Sequence, residues 1–316
     1  MKRIIPCVSI TLGLIAAGFF LPVLGFLGLI LCPLPLAVLG CLDGQKRMTI
    51  AELMIELTVF IIISPSMAVY FLVGCAPVAG MLYFVSREDV KEHKKFSAAE
   101  SFLICAGGSI VFKIILLAVF YFFTGQNILF PDSAQMAQIM KELYGNEPEL
   151  LNAAMQIVNI FPYLIPTFLT VYVGVETLLN YCLCGKFVKK YSPEAKSFPP
   201  PLPEFKSWRF PTSLLIVAVS SFAVSFFIDT ETWFDGAVFL MNLEIVLNVF
   251  MFVQGLALTF WIMDGFNLRR AAKIFVCFIL MIPFFWAWLI VIGMSDMLLN
   301  LRERIKFNKK GEKINE

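Results

Sequence analysis

An apolar run from Val238 to Met263 constrains this chain more than any other stretch. It is longer than the roughly 20 residues that carry a helix across a bilayer. Within it stand Glu244, Asn248 and Gln254. Water would make these residues ordinary. Hydrocarbon makes them expensive, and an ionisable side chain inside a span is a candidate functional site. Comparable runs fill much of the chain. Of its 316 residues 59% are hydrophobic, 15% are charged and 33 are Phe, whereas a soluble domain carries about a quarter charged residues. One soluble core cannot hide so many apolar side chains, so several helices must face lipid.

The runs follow one another in pairs. Ile4 to Leu42 is too long for one span and is divided by Pro22, which predicts a hairpin with arms 5–20 and 23–41. Ile50 to Val85, interrupted at Ser64-Pro65-Ser66, predicts a second hairpin. Phe102 to Thr124 is a clean span with Lys113 near its middle. Leu151 to Cys184 is another, holding Asn159, Glu176 and Asn180, with Pro162 and Pro166 inside it. Phe210 to Ile228 and the opening run follow, and Ile274 to Met294 closes the series. The fold expected is therefore an all-α polytopic helical bundle, one membrane domain over 1–316 with eight to ten membrane segments. Between Gln126 and Leu150, Met136, Ile139, Met140 and Leu143 recur at helical spacing, which predicts a short outer amphipathic helix started by Asp132 and ended near Gly145. Residues 185–209, basic and rich in proline, read as an extended cytoplasmic connector, and 302–316 as a basic tail.

Charge sets the orientation. Putting the basic segments 43–47, 86–99, 185–209 and 264–273 inside and the acidic loops 125–150 and 229–236 outside gives a cytoplasmic N-terminus in a bacterial inner membrane. The last run breaks this pattern. One crossing from Ile274 would put the basic tail outside, and a hairpin bent near Pro283 would keep it inside, so an even number of crossings is favoured. The eight cysteines sit mostly in or beside apolar runs, where a free thiol behaves as a small hydrophobe. Cys182-x-Cys184 has no His or second Cys pair nearby to complete a metal site. No basic stripe points to nucleic acid.

Depth ranks the intramembrane polar residues. At 1.5 Å per residue, Lys113 lies about 19 Å from the inner end of its span and Glu244 about 12 Å from the outer end of its own. Across a core of about 30 Å the two share a level and could pair. Glu176 lies about 13 Å from the inner face, with Asn180 one turn further on the same side. Asn248 stands in the same relation to Glu244; Gly255 continues that face and Gln254 points off it. Lys113, Glu176, Asn180, Glu244 and Asn248 are therefore the candidates for a ligand site or an intramembrane ion pair. Interhelical glue is the structural reading of the same residues.

Three further patterns occur in order: Leu202-Pro203-x-Phe205-x-x-Trp208-x-x-Pro211; Asn248 followed by Phe-Met-Phe-Val-Gln254-Gly255; and Gly293-x-x-Asp296 followed by Asn300-x-Arg302. With the hydropathy profile they make nearly the whole chain resemble the YybS-like family of predicted bacterial membrane proteins. That family is distantly similar to the substrate-binding subunits of energy-coupling-factor transporters and to the cell-shape protein MreD. The resemblance implies a small-molecule-binding or transport-related membrane subunit, or else a non-enzymatic scaffold holding a protein partner. The absence of a phosphate-binding Gly-rich Lys-Ser/Thr loop leaves any energy source to a partner. No HExxH, Ser-Lys or paired-Asp signature suggests an enzyme, so no catalytic residue, metal or cofactor is expected.

Overall fold

The fold is described from a computed structural model covering residues 3–21, 24–87, 96–124, 133–144, 147–195, 198–227, 233–280 and 282–305. Among these residues the regular structure is helical and no strand occurs, in keeping with a backbone that must satisfy its own hydrogen bonds in lipid. Five helical stretches are long and apolar enough to cross a membrane: Gly25–Asp43, Pro65–Ser86, Ala98–Phe123, Glu149–Tyr191 and Phe234–Gly265. A sixth is reached if the bent pair Arg270–Leu280 and Pro283–Leu299 counts as one. Among the described residues the expected eight to ten segments are therefore not confirmed, and the apolar helices Ile4–Gly18 and Thr212–Ser225 are shorter than the other candidates.

The chain divides into two compact units, Met1–Leu202 and Pro203–Glu316. The first begins with α1 (Ile4–Phe20), α2 (Leu24–Leu31) and α3 (Pro33–Asp43). A Cβ on Gly25 would sit 2.6 Å from the Gly18 carbonyl oxygen, and one on Gly28 would sit 2.6 Å from that of Leu14. Glycine lets α1 and α2 meet backbone to backbone. Pro22, the expected divider, falls outside the described residues. Pro33 then starts a new helix where its missing N–H does no harm.

The second expected hairpin is also interrupted where predicted. After α4 (Gln45–Thr58) and a π-helical turn (Val59–Ile63), Ser64 breaks the ladder and caps α5 (Pro65–Val69) by accepting from the Met67 N–H at 3.1 Å. A second π-helical turn (Tyr70–Cys75) leads into α6 (Ala76–Ser86). Next, α7 (Ala98–Thr124) opens on a capping box: Glu100 accepts from the Ser97 N–H at 2.7 Å, and Ser97 Oγ accepts from the Glu100 N–H at 3.2 Å. The loop holding His93 lies outside the described residues. The predicted amphipathic helix is α8 (Ser133–Tyr144), with Ile139 and Leu143 exposed; Asp132 is not among the described residues.

The unit closes with α9 (Pro148–Tyr191), 44 residues that continue through Pro162 and Pro166. At about 66 Å it is twice the thickness of the hydrocarbon core. It also takes up the start of the expected connector, because Cys184 and Val188 are buried and hold that end helical. The non-helical connector begins at Ser192, and Phe198 and Leu202 pack back on the unit's core. The seven cysteines described, all in this unit, are free thiols and six are buried.

The second unit comprises α10 (Thr212–Ser225), α11 (Phe234–Gly265), α12 (Arg270–Leu280), α13 (Trp286–Leu299) and the single turn α14 (Leu301–Arg304). Short 3-10 turns stand at Phe205–Ser207 and Pro283–Phe285. The run from Ile274 is neither a straight span nor a closed hairpin: it breaks near Pro283, and its two arms make an angle of 88°.

Candidate functional site

The first unit gathers three of the five polar candidates. Lys113 sits on the buried side of α7 and Glu176 on that of α9, with 4% and 0% of their surface exposed. Lys113 Nζ lies 3.0 Å from Glu176 Oε2 and 3.3 Å from Oε1, so it bridges both carboxylate oxygens. It also donates to the Gly74 carbonyl at 2.9 Å. Gly74 belongs to the second π-helical turn, and π turns occur frequently at functional sites. The ammonium stands 5.3 Å from the centre of the Tyr172 ring, and the Tyr172 and Tyr70 hydroxyls are 3.2 Å apart.

Asn180, one turn beyond Glu176, donates from Nδ2 to the Glu176 carbonyl and to the Ile30 carbonyl, both at 2.7 Å. The Ile30 carbonyl stands in the last turn of α2, where the helix supplies no partner of its own. Asn180 Oδ1 and Thr177 Oγ1 are buried without a protein partner. The site therefore combines a cation, a carboxylate and two phenols, with an unfilled amide oxygen on Asn180 one turn along α9.

The expected pairing of Lys113 with Glu244 is not what the structure contains. Lys113 takes its carboxylate from its own unit. Depth counting favoured Glu244, but a shared level says nothing about which helices are neighbours. Glu244 belongs to α11 in the second unit and is half-buried, with one carboxylate oxygen enclosed and unpartnered. Asn248 is exposed on α11, so the expected Glu244–Asn248–Gly255 face does not form one buried surface.

The polar centre of the second unit is Gln254, which helical spacing sets off that face. Gln254 is 2% exposed. Its Oε1 accepts from the Phe210 N–H at 3.0 Å, and its Nε2 donates to Asp296 Oδ2. Arg302 Nε donates to the same oxygen at 3.1 Å, and Arg302 Nη1 donates to the Lys206 carbonyl at 2.6 Å. Trp208 Nε1 donates to the Pro203 carbonyl at 3.0 Å, while the Phe205 ring packs edge-on against Trp208 and Phe260. Below this network α11 and α13 touch through glycine. A Cβ on Gly255 would lie 1.9 Å from the Leu289 carbonyl oxygen, and one on Gly293 would lie 1.9 Å from that of Met251.

Gln254, Asp296, Arg302, Phe205, Trp208 and both glycines of this cluster come from the three ordered sequence patterns. Asp296, Gln254 and Arg302 were not among the site candidates. Their signal was the order of the patterns, which depth counting does not use. At the rim, Lys206 Nζ reaches Glu204 and Asp264, each at 2.8 Å, and these hydrogen bonds hold its ammonium above the ordinary lysine range. Among the described residues no group of three or more His, Cys, Asp or Glu could hold a metal ion.

The comparisons agree with these patterns. The family described as predicted membrane protein DUF2232 matches residues 9–297. The uncharacterized protein YybS of Bacillus subtilis (strain 168) is 24% identical over 299 residues, which cover 91% of this chain and 92% of that protein. No solved structure matches the chain. The likeness to energy-coupling-factor subunits and MreD therefore rests on the resemblance alone.

Proposed function

We propose, for a chain that belongs to the DUF2232 family of predicted membrane proteins, the role of a non-enzymatic, small-molecule-binding subunit related to transport. We place it in the bacterial cytoplasmic membrane with its N-terminus inside, following the basic segments. The observation that carries the reading is the Lys113–Glu176 pair, sealed in the first unit one helical turn from Asn180, whose Oδ1 has no hydrogen-bond partner. A buried ion pair is a poor device for stability, since well-packed apolar residues often do as well or better. Its retention in hydrocarbon points to a task, and an unfilled polar atom one turn away suits a small polar solute or a transferable proton.

The test separates task from architecture. The full-length protein, purified in mild detergent, is examined by native mass spectrometry for a retained small molecule other than lipid. The expected result is such a mass on the unaltered protein and its loss from Lys113→Met/Glu176→Met, with thermal stability kept. A protein that carries no such molecule, or a double variant that retains it, overturns the reading. The alternative is an MreD-like scaffold, resting on the basic Pro-rich connector 185–209 and the basic tail 302–316. It predicts a membrane or cytoplasmic partner that is lost when the connector is altered while the Lys113 site is intact.

A further inference from the structure

The second unit determines where its C-terminal end emerges. Gly255 and Gly293 are level with each other: a Cβ on either would lie about 3 Å from the backbone nitrogen of the other, at 3.1 and 2.8 Å. Nine residues further along each stretch come Asp264 and Arg302. These two meet through one residue, since Lys206 Nζ pairs with Asp264 at 2.8 Å and the Lys206 carbonyl accepts from Arg302 at 2.6 Å. Helices α11 and α13 therefore run parallel, with both C-terminal ends at one face of the unit, beside residues 203–209.

Parallel neighbours require the chain between them to return. Counted back from the Gly255–Gly293 level, Trp286 stands level with Asn248, about 25 Å from the end of α11. The 6.0 Å ring contact of Trp286 with Phe252 agrees. The start of α13 thus lies at the depth of the middle of a membrane-crossing helix. The chain reaches it through α12 and the turn at Pro283–Phe285, with an 88° bend. Such a path fits a segment that enters the membrane and leaves it on the same side, one of the two forms open to a span bent by 88°.

The place where it enters has a distinct chemistry. Lys206 and Lys273 pair with Asp264, Arg209 with Glu303 and Arg302 with Asp296. Arg269 and Arg270 are exposed, and no ion pair to either occurs among the described residues. One turn on, Ile274, Phe275 and Phe278 are 71%, 65% and 74% exposed, a surface suited to acyl chains. Two unneutralised guanidinium groups directly before a lipid-facing apolar surface match a phosphate headgroup in charge and in level.

We propose that residues 266–305 form a re-entrant element whose foot, Arg269 and Arg270, docks the headgroup of an anionic phospholipid. This is independent of the Lys113 site. The lipid is tested on the full-length protein by native mass spectrometry after titration with phosphatidylglycerol or phosphatidylcholine. The unaltered protein is expected to retain phosphatidylglycerol preferentially. Arg269→Gln/Arg270→Gln is expected to lower that retention about tenfold, while Lys186→Gln/Lys190→Gln, which removes two exposed charges from the first unit, leaves it unchanged. Equal loss in both variants, or no loss in the first, overturns the lipid site. The topology is tested in intact cells with a membrane-impermeant maleimide on Ser207→Cys and Ile305→Cys, above the background of the native thiols. Labelling of both from one side is expected, and labelling from opposite sides overturns the re-entrant element.

Discussion

Two residue pairs decide most of what a point mutation can do here. Removing one member of a buried ion pair leaves an uncompensated charge, which costs about 3–5 kcal/mol. Lys113→Met and Glu176→Met are each expected to lower thermal stability by that order in detergent, while the swap Lys113→Glu/Glu176→Lys recovers part of it. Chemical denaturation of the three variants measures this, and additive losses in the swap would show that the contact contributes little. The second pair is Gly255 and Gly293. A Cβ there would meet backbone carbonyl oxygen at 1.9 Å, and backbone cannot move aside as a flexible side chain can. Gly255→Val or Gly293→Val is expected to cost about 3 kcal/mol or more, read as loss of the monodisperse peak on size exclusion. Gly174, with nothing within 4 Å of its Cβ position, should accept alanine without loss.

At the scale of elements, the last two helices show how a short pattern becomes a fastening. Asn300 adopts a left-handed conformation at φ 49° and ends α13, after which α14 turns Arg302 back to Asp296. Asparagine enters that region more easily than most residues, which otherwise lose about 1–2 kcal/mol there. Asn300→Gly should be nearly neutral and Asn300→Val destabilising, with melting temperature as the readout. Asp296→Ala would strand Arg302 in a buried site and is expected to cost more than Asp296→Ala/Arg302→Ala, in which no charge is left over. Helix α7 is a milder case. Its capping box at Ser97 and Glu100 is worth about 1 kcal/mol, and the sequence reading, which began that span at Phe102, did not include it.

At the scale of the molecule, the chain divides into two compact units between Leu202 and Pro203. Each has its own polar centre, one around Lys113 and one around Gln254, and the hydrogen bonds described for each centre close within its unit. Co-expressed fragments 1–202 and 203–316 are therefore each expected to insert in the membrane and resist proteolysis. Degradation of either in the presence of the other would show that the units do not fold separately.

Hydropathy, proline and charge were enough to establish that this is a helical membrane protein, where its apolar runs break at Ser64 and near Pro283, and that Lys113, Glu176 and Gln254 are exceptional. Those properties are local, because the cost of a charge in hydrocarbon depends on the surrounding run and a proline interrupts whatever helix holds it. Local properties could not select Glu176 over Glu244 as the partner of Lys113, or reveal that three separate patterns meet around Gln254, Asp296 and Arg302. Each of these depends on which helices are neighbours and in which direction they run. Packing decided them, through the close approach at Gly255 and Gly293 and the shared acceptors at Asp296 and Lys206.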